Sequence, residues 1–174
     1  MKYLVKFFVV TFLLLICTHA SAEQKIAYLD MKYILNNSKA GKGAQDFLQK
    51  KVKANQKKFT DAENQLKKEE KDLLSQKATI SKEEYKKKSD ELRKKVIDFQ
   101  NSRKVALNDV AKKRANAREQ LLKELDPILE NYMAENNISL VIDSINVVRS
   151  TEGTNITKLI VEELNKKISS LELK

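Results

Sequence analysis

KVKANQKKFTDAENQLKKEEKDLL at residues 51–74 and EYKKKSDELRKKVIDFQNSRKVALNDV at residues 84–110 decide the fold. In the first stretch Val52, Phe59, Leu66 and Leu73 recur every seven residues. In the second Tyr85, Leu92, Phe99 and Ala106 do the same, with Ser89, Val96 and Val110 beside them. A seven-residue apolar repeat marks a helix that packs along a seam against another helix. The two series are out of phase, so they are not one uninterrupted helix. Between them lies Ala78-Thr79-Ile80, then Ser81-Lys82-Glu83-Glu84, where Ser81 caps a new helix and Glu84 is placed to reach back in a capping box. The pattern therefore predicts an antiparallel hairpin with its tip near Thr79. Folding there sets Leu73 near Tyr85, Leu66 near Leu92, Phe59 near Phe99 and Val52 near Ala106. The first helix, expected over residues 45–77, spans about 50 Å at 1.5 Å per residue, too long to fold into a small globule. Its second heptad position is poor in apolar side chains: Asn55, Ala62, Glu69 and Gln76. An arm that is weak at its tip is expected.

Outward from the arm, the chain changes texture at both ends. Residues 26–30 (Ile-Ala-Tyr-Leu-Asp) read as a strand and 31–35 as a brief helix ended by Asn36-Asn37-Ser38. Gly41 and Gly43 then precede the Lys-, Glu- and Gln-rich region. Beyond Asp126-Pro127 an apolar face continues through Ile128, Leu129, Tyr132 and Met133 to about Asn136. Residues 138–143 and 145–149 are rich in β-formers, and Asn155-Ile156-Thr157 leads into a last amphipathic helix bearing Ile160, Leu164 and Ile168. The expected fold is mainly α with a little β: a long antiparallel coiled-coil hairpin arm, residues 45–126, on a small α+β base made of 23–44 plus 127–174. Such a base is too small to hold a secure core alone, and association with copies of itself is the usual remedy.

The first 22 residues read as a signal peptide cleaved before Glu23: Lys2 and Lys6, an apolar run over 7–16, then Ala20-Ser21-Ala22. The run is about half the length that spans a membrane. Cys17 is preceded by Ile16, a bulky residue where lipoprotein cleavage needs a small one. Cys17 and His19 are the only Cys and His in the chain, and both fall in this segment. The remainder thus has no thiol or imidazole chemistry, which removes disulfides, His-based acid–base catalysis and nearly all zinc or copper sites. Asp30, Asp143 and Glu162-Glu163 lack the convergent partners that carboxylate catalysis needs, so no catalytic residue, cofactor site or metal site is assigned, and the protein is read as a non-enzyme.

Charge is unevenly distributed. Residues 49–125 hold 23 basic and 13 acidic side chains, whereas the rest of the chain after residue 22 holds 9 and 11. A basic arm on a near-neutral base attracts anionic partners to the arm. Its candidate residues are Lys67, Lys68, Lys86, Lys87, Lys88, Arg93, Lys94, Lys95, Arg103, Lys104, Lys112, Lys113 and Arg114. Nucleic acid is disfavoured as the partner, because export removes it from reach and no DNA-binding motif interrupts the repeat.

The whole chain after residue 22 resembles the Skp (OmpH-like) periplasmic chaperones of Gram-negative bacteria. The likeness rests on Ile26-Ala27-Tyr28-Leu29-Asp30, the Lys-rich hairpin, Leu140-Val141-Ile142-Asp143, and Asn155-Ile156-Thr157 followed by Leu159-Ile160 and Leu164-Asn165. Members often carry Asp at the position of Asn155, an equivalent helix cap. The resemblance implies a homotrimer whose bases associate through strands, while three arms enclose a cavity that carries unfolded outer-membrane proteins without ATP. It also implies that Ile26, Tyr28, Leu140 and Ile142, which alternate along the two strands, face the trimer, with Ala27, Leu29 and Val141 on the other side. A periplasmic holdase is the function implied. The alternative is a structural envelope coiled coil that binds anionic lipid, lipopolysaccharide or other polysaccharide.

Overall fold

The computed structural model describes residues 25–173; the expected signal peptide, with Cys17 and His19, lies outside the described residues. In chain order the elements are strand β1 (Lys25–Leu29), helices α1 (Met31–Asn37), α2 (Lys39–Gln76) and α3 (Lys82–Asn136), strand β2 (Ile138–Asp143), a 3-10 turn (Ser144–Asn146) and helix α4 (Thr157–Lys167). At 1.5 Å per residue α2 is about 57 Å long and α3 about 80 Å. They form the expected antiparallel hairpin on a small α/β base.

Strands β1 and β2 pair in parallel, with Ile26 opposite Leu140, Tyr28 opposite Ile142 and Leu29 opposite Asp143. Parallel neighbours need a long crossover connection, and here the crossover is the arm itself. At its end Asn137 takes a left-handed conformation, φ 55°, and turns the chain from α3 into β2. The other edge of β1 is covered by the chain before α4: the Tyr28 N–H donates to the Thr154 carbonyl at 2.9 Å, and the Ile156 N–H donates to the Tyr28 carbonyl at 3.0 Å.

The core is built from three distant stretches. Ala27, Leu29, Ile34 and Ala40 come from the start of the chain, Leu121 and Leu125 from the root of α3, and Ile156, Ile160 and Leu164 from its end. Polar contacts stitch the same stretches. The Asp30 N–H donates to Thr157 Oγ1 at 2.9 Å, and the Lys39 N–H donates to Asn165 Oδ1 at 2.6 Å. Leu121 and Leu125 therefore tie the root of the arm into the base, upstream of Pro127. That proline sits inside α3, which continues to Asn136.

Four local expectations are corrected. Helix α2 starts at Lys39 and not at residue 45, because buried Ser38 caps it by accepting from the Gly41 N–H at 3.1 Å. Gly41 then passes so close to the end of α1 that a Cβ there would lie 2.0 Å from the Leu35 carbonyl oxygen; this glycine is kept for close approach, not for breaking a helix. The capping box at the tip is only half formed: Ser81 Oγ accepts from the Glu84 N–H at 3.1 Å, while the Glu84 carboxylate turns to Lys88 at 3.2 Å. Residues 145–149 are not a strand. Asp143 accepts from the Ile145 N–H at 3.2 Å and starts a 3-10 turn, so the chain leaves the sheet after β2. At α4 the side chain of Asn155 accepts from the Thr157 N–H at 3.0 Å, one residue before the helix-capping position, which Ile156 occupies.

Candidate interaction surface

The heptad residues set the geometry of the arm. Phe59 and Phe99 meet edge to face, with ring centroids 6.0 Å apart and planes at 76°. Toward the tip, Leu66, Leu73, Tyr85 and Leu92 line one continuous depression between α2 and α3. At two of the four second heptad positions, Glu69 and Gln76, polar cross-links replace apolar packing. Lys95 reaches Glu69 at 2.7 Å, and Lys88 donates to Gln76 Oε1 at 2.9 Å. Nearer the base Lys51 bonds Asp109 at 2.8 Å, and there Val52 turns outward and is 42% exposed. Ala106 stays half-buried. The seam thus shifts its contact row from Val52 to Lys51 and Asn55 as α2 nears the base, where Leu48 and Val110 become buried.

These cross-links bias the carboxylates. Hydrogen bonds from Lys95, and then from Gln65, hold Glu69 below its usual range; Lys51 does the same for Asp109, helped by the charge of Lys113. Lys67, 2.7 Å from Glu63 along one helix, lowers that carboxyl as well. Of the sequence-derived cations, Lys67, Lys88, Lys95 and Lys113 are paired with acids on the arm. Lys68, Lys86, Lys87, Arg93, Lys94, Arg103, Lys104, Lys112 and Arg114 hold no ion pair among the described residues and are exposed. They leave a positive field around the arm, with salt-dependent reach.

Alternating with that field is apolar surface the repeat did not announce. Leu74 is 58% exposed and Leu107 65% exposed, and both line the same depression, of about 880 Å³. Each follows a seam residue directly, Leu73 and Ala106. The signal that could have found them is an apolar side chain one place beyond a heptad position, where a solvated coiled coil carries a polar one.

On the base, Ala27 and Leu29 are buried and Val141 packs against them, while Ile26 and Leu140, opposite each other in register, are 52% and 49% exposed. Tyr28 and Ile142, the next pair, are half-buried. All four lie on the sheet face turned away from the subunit's own core. Ile145 and Val148, in the loop after β2, are almost fully exposed. Among the described residues no helix is long and apolar enough to cross a membrane, and no group of His, Cys, Asp or Glu could hold a metal ion.

Comparison with known proteins follows the same outline. Residues 25–164 match the sequence model of the family described as outer membrane protein (OmpH-like). A crystal structure from Caulobacter crescentus CB15, of a protein described as an outer membrane chaperone (OmpH-like), superposes with a TM-score of 0.79 at 20% identity, covering 89% of this chain and 92% of that one. No curated protein matches the chain by sequence.

Proposed function

We propose that this chain, which belongs to the OmpH-like family, is an exported, ATP-independent holdase that keeps unfolded outer-membrane proteins soluble in the periplasm. One observation carries the reading: a basic arm with unpaired cations and an uncovered apolar flank stands on a base with an unsatisfied sheet face. An unfolded β-barrel chain offers the matching chemistry, alternating apolar side chains on a commonly acidic polypeptide. Basic arms draw it in, and many weak contacts hold it without burying it, so that it can leave again. The family's activity is binding and not bond-making, and the reading calls for no nucleotide, metal or cofactor.

The base supports a homotrimer in this reading. A two-stranded parallel sheet is not stable with one face in water, and Ile26, Tyr28, Leu140 and Ile142 supply an apolar face for sister subunits. Three arms would then bound a cavity. The test combines native mass with an aggregation assay on a denatured outer-membrane β-barrel. A particle of three chains that suppresses aggregation at one trimer per client is expected. A monomer, or no suppression at that ratio, removes the proposal.

The exposed cations Lys86, Lys87, Lys112 and Arg114 favour one other reading, an envelope coiled coil that binds lipopolysaccharide or another anionic surface. Pull-down from periplasm separates the two: outer-membrane proteins for the holdase, lipopolysaccharide or wall material for the alternative.

A further inference from the structure

We infer that one flank of the arm is a docking groove for a single extended segment of about ten residues, apolar on one side and acidic on the other: one unfolded strand of an outer-membrane β-barrel. The inference rests on the holdase reading and narrows it from a cavity between arms to a site on each arm.

The first observation is what the groove is made of. Its floor is the open side of the seam, including Leu92, Val96 and Phe99. At its two ends stand Leu74 and Leu107, 58% and 65% exposed. Exposed apolar side chains joined into one depression mark a binding surface more often than scattered ones do. The second observation is charge. On the rim, Lys67 pairs with Glu63, whose carboxyl also feels the charge of Arg103, while Arg93, Lys104 and Glu70 hold no ion pair among the described residues. With four cations against two carboxylates the rim is net cationic, and that excess can draw an acidic guest.

Length is the third. Along α3 the lining runs from Tyr85 to Asn108, about 35 Å at 1.5 Å per residue, and α2 walls the half nearer the tip, from Glu63 to Leu74. An extended chain rises roughly 3.3 Å per residue, so about ten residues fill it. That is the length of one membrane-crossing β-strand, about 9 to 11 residues. Such a strand puts apolar groups on alternate positions, so one side can lie on the floor while acidic groups on the other meet the rim. A surface depression of about 880 Å³ can take the side chains of an extended segment but not a compact folded domain, and the finished barrel hides the backbone edges that an unfolded strand leaves free.

Binding is read by fluorescence anisotropy, using the full chain and a labelled peptide of about ten residues that alternates apolar and polar positions and carries two Asp. Leu74→Ser combined with Leu107→Ser removes both apolar ends. Ile97→Ser combined with Val105→Ser is the matched control, since both residues are exposed but lie outside the groove. The groove variant should bind the peptide about tenfold or more weakly, and the control should bind as the unaltered chain does. Arg93→Glu with Arg103→Glu should weaken the Asp peptide more than its Asn counterpart.

Equal losses in both double variants would overturn the groove. So would a change of native mass on Leu74→Ser with Leu107→Ser, which would make a second copy the occupant. Binding to anionic phospholipid vesicles that needs the two leucines, with no peptide binding, would assign it to a lipid surface instead. If the unaltered chain suppresses aggregation but the groove variant holds peptide equally well, the groove alone fails. If the unaltered chain suppresses nothing, the holdase reading fails first.

Discussion

The base and the arm of this protein obey different rules of stability. In the base, leucines such as Leu29, Leu125 and Leu164 are at most a few per cent exposed, and hydrogen bonds from backbone N–H groups join residues more than a hundred positions apart. In the arm none of the seam residues Phe59, Leu66, Leu73, Tyr85, Leu92 or Phe99 is fully buried, and polar cross-links at Glu69 and Gln76 interrupt the apolar layers. The base is specified by packing among distant segments, whereas the arm is specified by local helix formation and a thin seam. The proposed holdase role would use that division: one part fixes where the arm starts, and the other yields to guests of varied shape.

Equal truncations in the two regions give the sharpest test. Leu125→Ala deletes a side chain that is 2% exposed at the junction of α3 and the core. It should cost about 2 to 5 kcal/mol, the range for cavities in well-packed cores. Leu92→Ala, half-buried in the arm, should cost less than half as much, because water already reaches the site. Denaturant midpoints at fixed protein concentration measure both, since an assembly's stability depends on concentration. Equal losses would mean that the arm is packed as tightly as the base. Within the base, Gly41→Ala belongs with the large effects, since its new methyl would meet a backbone carbonyl that cannot move aside without shifting α1.

The aromatic pair of the arm comes next in size. Phe59 and Phe99 form the one ring pair among the described residues, and edge-to-face geometry adds about 0.5 to 1.5 kcal/mol beyond area burial. A double-mutant cycle with Leu at each position should return a coupling in that range, and a value near zero would place the rings side by side without interaction.

A smaller effect separates the end of the chain from the arm. Past α4, Ile168 and Leu171 pack on the core, and the Gln120 side chain both donates to the Glu172 carbonyl at 3.0 Å and accepts from its N–H at 3.2 Å. Gln120 thereby pins the tail to the arm's root. Gln120→Ala should cost about 1 kcal/mol and speed hydrogen exchange at the Glu172 amide, leaving the tip unchanged.

What the sequence showed follows the same division. Local signals were legible: the heptads brought Phe59 to Phe99, Ser81 announced the second helix, and residues 138–143 read correctly as a strand. Signals that depend on distant partners were not. Gly41 marked a change of composition but not its own role, because the reason for it, the Leu35 carbonyl, lies on another helix. Residues 145–149 had strand propensity but no neighbouring strand to pair with, so the Asp143 cap decided their path. The parallel pairing of β1 and β2 has no mark in either strand, since it depends on the whole arm acting as the crossover. On the surface, the excess of positive charge was countable, but which cations are paired required the cross-helix geometry. Leu74 and Leu107 escaped because the repeat draws the eye to the residues just before them.

The smallest expected effect is the response of the arm to acid. Glu69 is held below its ordinary range chiefly by the hydrogen bond from Lys95, and Asp109 chiefly by that from Lys51. A carboxyl whose folded pKa is depressed contributes stability that is fully present above its unfolded pKa and is lost as pH falls through the folded one. Both links should therefore hold at neutral pH and fade below the ordinary carboxylate range, loosening the arm before the base, whose core residues carry no charge. Ion pairs this open to solvent contribute little, so the change is one of local mobility and not of unfolding. Hydrogen exchange along residues 66–98, compared at pH 7 and pH 3 after correction for intrinsic rates, should show the arm opening more at low pH. Glu69→Gln should remove part of that difference, because an amide keeps the hydrogen-bonding shape but has no proton to gain. If instead the base loosens first, the contrast between the two regions is not the one described by their burial.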